Sequence, residues 1–472
     1  KIINSGGFDI VIGNPPWQGV KPDVDEFFTP LKETNLLLAT KFPNKKQKFS
    51  KLNDKQKESI IEECIKKKDI LTLYEKYQDK YKIQMDYFGS TSKYSLQGKG
   101  DINLYKLFLE MSLQITHKKS LLGLIVPAGI YLDLGTEGLR QEIFVNGTVL
   151  ELCGFLNKNR FFPDAHAQFK FCSIIFKKTG TTEKFLSKFF VTDADILNNF
   201  RKKSMIYDLK EKRKIFSSST ILEISNQTES QIYNKLFKFP TFRSASWNLK
   251  VTQELHMTND KKNFNDTNIG PPLYEGKMIH MFTHKLAQPT RWLDQKQIEE
   301  RLKEKELRRI PDEIKKKNLN ISPNIHAQEY RLVWRIQSNS TDTRSLISTI
   351  LPPNVYLGNS LGYFIPHIFE QTKYVKLISN RESLFLCGLM NSFIQDFIMR
   401  HKISRNINNF HILEQPTPKF DQNNIIHQKI IKNTSMLICT TDEYANLREE
   451  VGISKYVTEP EKRMVLESQI NA

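Results

Sequence analysis

Apolar residues in this chain occur in two patterns. Short unbroken runs stand at Phe8–Gly13, Ser120–Pro127, Val149–Phe155 and Phe171–Phe176. Runs of this length, closed by Gly, Pro or polar residues, suit strands covered on both faces, as in a parallel sheet. Between them the period becomes helical. Leu104, Leu107, Phe108, Met111 and Ile115 fall on one helix face with Asp101 expected as its N-cap, and Leu139–Phe144 gives a shorter helix. The succession strand, helix, strand, helix, strand, strand predicts α/β architecture, the second half of a doubly wound (Rossmann-like) sheet.

Elsewhere the periodicity is weaker. Residues 20–100 form a polar, lysine-rich insertion with an amphipathic helix near Lys55–Lys68, either a solvated face or a lid or DNA-contacting loop. The expected catalytic half-domain is therefore 1–178, including that insertion. Residues 179–240 read as a connecting segment. Residues 241–435, rich in Asn, Gln, Arg, His and aromatics, read as an α+β domain, and 436–472 as a C-terminal helical segment. A charged helix over Glu299–Asn318 is expected to break at Pro311.

Lys and Arg number 70 against 52 Asp and Glu, a net charge of +18. Such an excess points to a polyanionic partner, with nucleic acid favoured over a membrane surface because no lipidation motif or amphipathic anchor is evident. No run of about 18 apolar residues exists, and no signal peptide opens the chain. The five cysteines, Cys64, Cys153, Cys172, Cys387 and Cys439, contain no Cys-x-x-Cys pair, which disfavours zinc and fits a reducing cytoplasm. Lys1 leads almost directly into a strand, so the expectation is a piece of a longer protein.

The chemistry concentrates at Asn14-Pro15-Pro16-Trp17, directly after the first apolar run. Two prolines stiffen a loop at the carboxyl end of a strand, where open α/β sheets place their sites. There an Asn side-chain oxygen and the next backbone carbonyl can accept both hydrogens of one amino group, and an aromatic ring can stack on a planar substrate. This string resembles the Asn-Pro-Pro-aromatic motif of amino methyltransferases that use S-adenosylmethionine. With Asn103–Glu110, Gly123–Pro127, Phe161-Phe162-Pro163 and Phe169–Lys177 following in order, the chain resembles gamma-class N6-adenine DNA methyltransferases from the catalytic loop onward. Leu273–His280, Arg331–Arg335, Leu389–Ser392 and Cys439–Tyr444 resemble the target recognition region of type IIG restriction–modification and phage-defence methylases.

The resemblance implies methyl transfer from S-adenosylmethionine to adenine N6 in double-stranded DNA. It implies Asn14, Pro15 and Trp17 as catalytic residues, Trp17 and Phe162 as the rings that stack the flipped base (Phe161 being the register alternative), and Phe108 and Asn14 at the cofactor. DNA contacts are expected from Lys277, His280, Arg331 and Arg335, with His284, Arg344 and Arg405 as further candidates. The family's glycine-containing cofactor loop lies upstream of its catalytic motif, and only seven residues precede Phe8 here. Half a cofactor pocket is therefore expected, the other half belonging to an upstream part of the same polypeptide, possibly with a nuclease domain. Two other activities fit the same residues: methylation of RNA or of protein glutamine, and DNA binding by a specificity fragment without turnover.

Overall fold

The computed structural model describes residues 6–43, 48–90, 92–97, 101–163, 165–209, 220–315, 321–340, 342–403 and 406–472. Two compact units divide the chain, Lys1–Ile221 and Leu222–Ala472.

A six-stranded mixed sheet organises the first unit, in the order β1-β2-β4-β3-β5-β6. Its strands are β1 (Phe8–Gly13), β2 (Thr116–Pro127), β3 (Thr148–Leu156), β4 (Lys170–Lys177), β5 (Lys184–Val191) and β6 (Met205–Asp208). β1 runs parallel to β2, and β3 parallel to β5. β4 returns antiparallel between β2 and β3, so β1, β2, β3 and β5 all point the same way. Apolar runs fill the interior as expected: Leu122, Val126, Val149, Leu152, Cys172, Ile174 and Phe176 are fully buried. The boundary expected after Lys178 falls inside this sheet, because β5 and β6 lie within 179–240 and pair with the strands before them.

β1 departs from expectation. It is parallel but not buried: Phe8, Ile10 and Ile12 are 40, 58 and 83 % exposed. It stands at the sheet edge, with a partner on one side only among the described residues. Its apolar run was read as the mark of a covered strand, and the cover is not within these residues.

Among the described residues of the insertion stand four α-helices, α1 (Val24–Phe28), α2 (Lys32–Lys41), α3 (Asp54–Cys64) and α4 (Lys68–Ser90). They close over a small core of Phe28, Leu38, Phe49, Leu52, Ile60, Cys64 and Ile70. The helix expected near Lys55–Lys68 is α3, started by a reciprocal capping box between Asn53 and Gln56. Next comes α5 (Leu104–Ile115), whose N-cap is Asn103 rather than the expected Asp101. The Asp101 carbonyl instead receives the Lys106 ammonium at 3.2 Å. The helix expected over Leu139–Phe144 is a single α turn, Glu137–Arg140, widened into a π turn over Gln141–Val145.

In the second unit, β7 (Val251–Thr252), β8 (Arg331–Arg335), β9 (Ser348–Leu351) and β10 (Leu361–Phe364) form an antiparallel sheet in the order β9-β8-β10-β7. The charged helix is α6 (Gln295–Arg309), which ends before Pro311 as expected. Helices α7 (Asn380–Met390), α8 (Ile425–Ile438) and α9 (Pro460–Asn471) share one core with the sheet, including Trp334, Phe385, Leu437, Tyr444, Leu447 and Ile470. Residues on both sides of 436 thus occupy the same core. All five cysteines are buried and no disulfide joins them. Among the described residues no helix is long and apolar enough to cross a membrane.

Two buried histidines of this unit are held neutral. His326 Nδ1 accepts from the Tyr363 hydroxyl at 3.0 Å while Nε2 donates to the His367 carbonyl at 3.2 Å, and burial pushes its pKa down to about 2. His411 accepts the Asn408 N–H at 3.1 Å and is pushed down to about 3 by burial, with Lys402 adding to the shift. The folded unit stays uncharged at these sites, whereas unfolded histidine binds a proton below about 6.5. Stability is therefore full above that pH and falls as pH drops from about 6.5 toward 3, by at most about 1.4 kcal/mol per pH unit for each group. Denaturant unfolding of the protein at successive pH values should show this slope, and His411→Gln should flatten it. An unchanged slope in the variant would show that His411 does not carry a shifted pKa.

Candidate functional site

Because β1, β2 and β3 point the same way, the loops that follow them leave from one end of the sheet. β1 delivers Asn14-Pro15-Pro16-Trp17 there. Pro15 is buried and Trp17 half-buried, while Asn14 is exposed and its side chain makes no hydrogen bond among the described residues. The chain beyond Trp17 is pinned to the start of α5. Leu104 N–H donates to the Gln18 carbonyl at 2.9 Å, and Val20 N–H to the Ile102 carbonyl at 2.8 Å. α5 is thereby tied to the loop, and Phe108, one turn along it, is 41 % exposed.

β3 delivers the second component. Its exit loop carries Phe161 and Phe162 and returns into β4 through Phe169. Trp17 meets Phe162 edge to face, with ring centroids 4.5 Å apart and planes at 63°. It lies nearly parallel to Phe169 at 5.5 Å and 16°. The two expected stacking rings are thus brought together, with Phe162 rather than Phe161 against Trp17. Phe161 packs edge-on against Phe155 and Phe171, each at 5.7 Å. A base sandwiched between two rings needs them about 7 Å apart, twice a van der Waals contact. Trp17 and Phe162 touch directly, so they would have to part to admit one. The Trp17 Nε1 is buried without a partner among the described residues. Such an unpaired donor carries a desolvation cost of about 1–3 kcal/mol.

Two neighbours were not singled out from the sequence. Phe169 sits immediately before an apolar run, and that placement was the available signal. Asn157, fully buried, organises the loop that carries Phe162, and nothing in a hydropathy pattern marks it. Below the exit of β2, Arg140 is buried and donates to Thr136 Oγ1 at 2.6 Å and to the Ile130 carbonyl at 3.4 Å. Buried Lys106 reaches the carbonyls of Asp101 and Gly135, and burial lowers its pKa. These cations hold turns in place.

The candidates for DNA contact in the second unit separate on burial. Arg331 is 1 % exposed. Its Nη1 pairs with Glu254 Oε1 at 2.7 Å, its Nη2 donates to the Val355 carbonyl, and its guanidinium lies over the Tyr363 ring at 5.2 Å. A side chain so enclosed cannot reach a phosphate or a base edge, so the expectation for Arg331 is corrected to a structural role. His284 is likewise buried, between Glu443 at 3.3 Å and the Tyr444 hydroxyl at 3.1 Å. Half-buried Arg335 spends Nε and Nη2 on the carbonyls of Gly276 and Ile279, at 3.0 and 2.6 Å. Arg344 lies over the Phe393 ring at 4.7 Å and donates to the Asn391 carbonyl. His280 is half-buried, and burial with nearby Arg335 and Arg344 holds its pKa below the usual histidine value. Lys277 is exposed, with Nζ 3.3 Å from Glu275 and 3.1 Å from Thr290 Oγ1. Arg405 lies outside the described residues.

No family model matches the sequence, and no curated protein does. Among solved structures the chain is similar to the type IIL restriction–modification enzyme MmeI in complex with DNA, at 12 % identity and a TM-score of 0.45, over 98 % of this chain and 53 % of that one. It is similar to a nuclease-deletion mutant of the type ISP restriction–modification enzyme LlaGI in complex with a DNA substrate mimic, at 12 % identity and a TM-score of 0.40, over 91 % of this chain and 34 % of that one. It is also similar to DrdV in a DNA complex, at 9 % identity and a TM-score of 0.39, over 93 % of this chain and 44 % of that one. The chain spans about half the length of these proteins, or less.

The burial of Arg331 has a measurable consequence. Arg331→Ala leaves Glu254 buried without its cation, and breaking one side of such a pair costs about 3–5 kcal/mol. Lys277→Ala, at an exposed position, should stay within about 0.5 kcal/mol of wild type. Chemical denaturation compares the two directly. A wild-type midpoint for Arg331→Ala would return that residue to the surface candidates.

Proposed function

We propose that this chain is the second half of an S-adenosylmethionine-dependent DNA methyltransferase domain acting on adenine N6, joined to a target recognition domain formed by the second unit, Leu222–Ala472. The observation that carries this reading is the placement of Asn14-Pro15-Pro16-Trp17. The string leaves a parallel strand at the carboxyl end of the sheet, presents an exposed Asn14, and sets Trp17 against Phe162.

The roles follow from the chemistry. Adenine N6 is a weak nucleophile because its lone pair is delocalised into the ring. Asn14 Oδ1 and the Pro15 carbonyl accept its two hydrogens, favour a tetrahedral nitrogen and aim the lone pair. These contributions are positioning and electrostatic complementarity, with no covalent intermediate. The target base leaves the duplex, at a cost of a few kcal/mol that stacking on Trp17 and Phe162 partly offsets. S-adenosylmethionine, when bound, supplies an electrophilic methyl group on its sulfonium sulfur. Asn14 and Phe108 are the residues of this chain that would face it, and both are exposed and linked through the Gln18–Leu104 hydrogen bond.

The apolar edge of β1, bare among the described residues, fits a half-domain whose first half pairs along it, supplied by an upstream part of the same polypeptide. In the second unit, Lys277 is the best placed of the expected DNA contacts, with His280 and the remaining Arg335 donor beside it in sequence or space. The charge of +18 supports double-stranded DNA as the partner. Methylation of RNA or protein glutamine remains the second reading, because an Asn-Pro-Pro loop can orient those amines too.

In the full-length protein, Asn14→Ala should abolish methylation of plasmid DNA while DNA binding persists; near-normal turnover would sink the catalytic assignment. DNA affinity should fall steeply with salt, since every neutralised phosphate releases a counterion. A filter-binding series from low to physiological salt would test this, and a flat response would point away from a phosphate backbone.

A further inference from the structure

We propose that Asn157 is a positioning residue that fixes both aromatic rings flanking Trp17; this inference rests on the methyl-transfer reading above. The residue is fully buried and opens the 3-10 turn Asn157–Asn159 directly after β3. Its backbone N–H donates to the Phe169 carbonyl at 2.9 Å. Its Oδ1 accepts the Phe162 N–H at 3.0 Å. Its Nδ2 donates to the Phe162 and Ala165 carbonyls at 2.9 and 3.0 Å, and approaches the His166 carbonyl at 3.3 Å. Asn157 thus closes the loop at both ends, with its side-chain amide at Phe162 and its backbone N–H at Phe169, the two residues whose rings meet Trp17.

The side chain suits the task because an amide both accepts and donates. Phe162 receives a bond at its N–H and another at its carbonyl, which fixes the peptide planes on both sides of its Cα and so limits where the ring can point. An aspartate of the same size would keep the bond from the Phe162 N–H. It would also set an oxygen against two or three carbonyl oxygens, which have no hydrogen to offer. Asn157 touches no substrate atom in this scheme. It acts through Phe162, which stacks the flipped base, and through Phe169, which packs against Trp17.

The test uses the full-length protein and a duplex whose target adenine, first located by sequencing modified bases, is replaced by 2-aminopurine. Asn157→Asp should lower kcat roughly five- to hundredfold, the range of one lost base–aromatic stack, with KM for DNA nearly unchanged because backbone contacts lie elsewhere. The fluorescence rise on binding 2-aminopurine duplex should shrink in parallel. Combined with Phe162→Ala, the loss should not multiply, since both changes remove the same ring. Full multiplication of the two losses, or an unchanged kcat and fluorescence in Asn157→Asp, overturns the proposal. Should Asn157→Asp fail to fold, Phe169→Ala serves: the pairing of both rings requires a loss of kcat there too, and a wild-type value overturns it. Absence of methylation by the wild-type protein would overturn the methyl-transfer reading and this inference together, whereas an active wild type with independent effects overturns only this one.

Discussion

The return of β4 between β2 and β3 is the constraint from which the candidate site follows. β3 follows β2 by a crossover over residues 128–147, and the chain then returns antiparallel as β4 into the slot between them, so β2 and β3 run the same way as β1. Three loops are then delivered to one end of the sheet. The first brings a stiff Asn-Pro-Pro turn, the third brings aromatic rings, and the interior of the sheet provides a rigid base for both. Had β4 lain outside β3, Phe169 would begin a strand remote from β1 and Trp17 would have no parallel partner.

Much of this was legible in the sequence, for reasons tied to particular residues. Runs such as Leu121–Val126 and Ile174–Phe176 are apolar without alternation because one face of those strands is buried and the other half-buried, and that pattern is local. Asn14 to Trp17 was legible because proline and asparagine restrict the backbone within a few residues. Other features depend on partners far along the chain. Arg331 lies in an Arg-Leu-Val-Trp-Arg run that reads as a strand with a basic residue at each end. Its burial depends on Glu254, 77 positions earlier, which no local pattern announces. Asn157 presents the same difficulty in another form, since a polar residue bonded to main-chain groups leaves no trace in hydropathy. The exposure of β1 could not be read either, because an apolar run records the need for cover and says nothing of where the cover comes from.

The two units are held together in different ways. In the first, the sheet interior is almost wholly apolar, and its polar groups gather at the turns. In the second, ionic and imidazole groups penetrate the core: Arg331 with Glu254, and His326 against Tyr363 and His367. Buried charges of this kind seldom add net stability over apolar replacements. They do restrict which neighbours can be accepted, because each donor and acceptor has to be met. Glu254 shows this: one carboxylate oxygen takes Arg331 while the other takes the Leu357 N–H at 2.8 Å. The strand-poor unit thereby acquires cross-links between segments that share little regular pairing.

The flank of β1, uncovered among the described residues, bears on how this polypeptide behaves in solution. Among the described residues its backbone offers an unpaired row of donors and acceptors beside Phe8, Ile10 and Ile12, an arrangement that natural proteins protect with charge, proline or a covering element. Here the nearest charged side chain on the strand, Asp9, is engaged with His117 at 2.6 Å. Left bare, such a flank will recruit whatever strand is at hand, including the same flank of another molecule. A charge introduced among Phe8, Ile10 and Ile12, or any strand that pairs along this edge, therefore bears on solubility without touching the core.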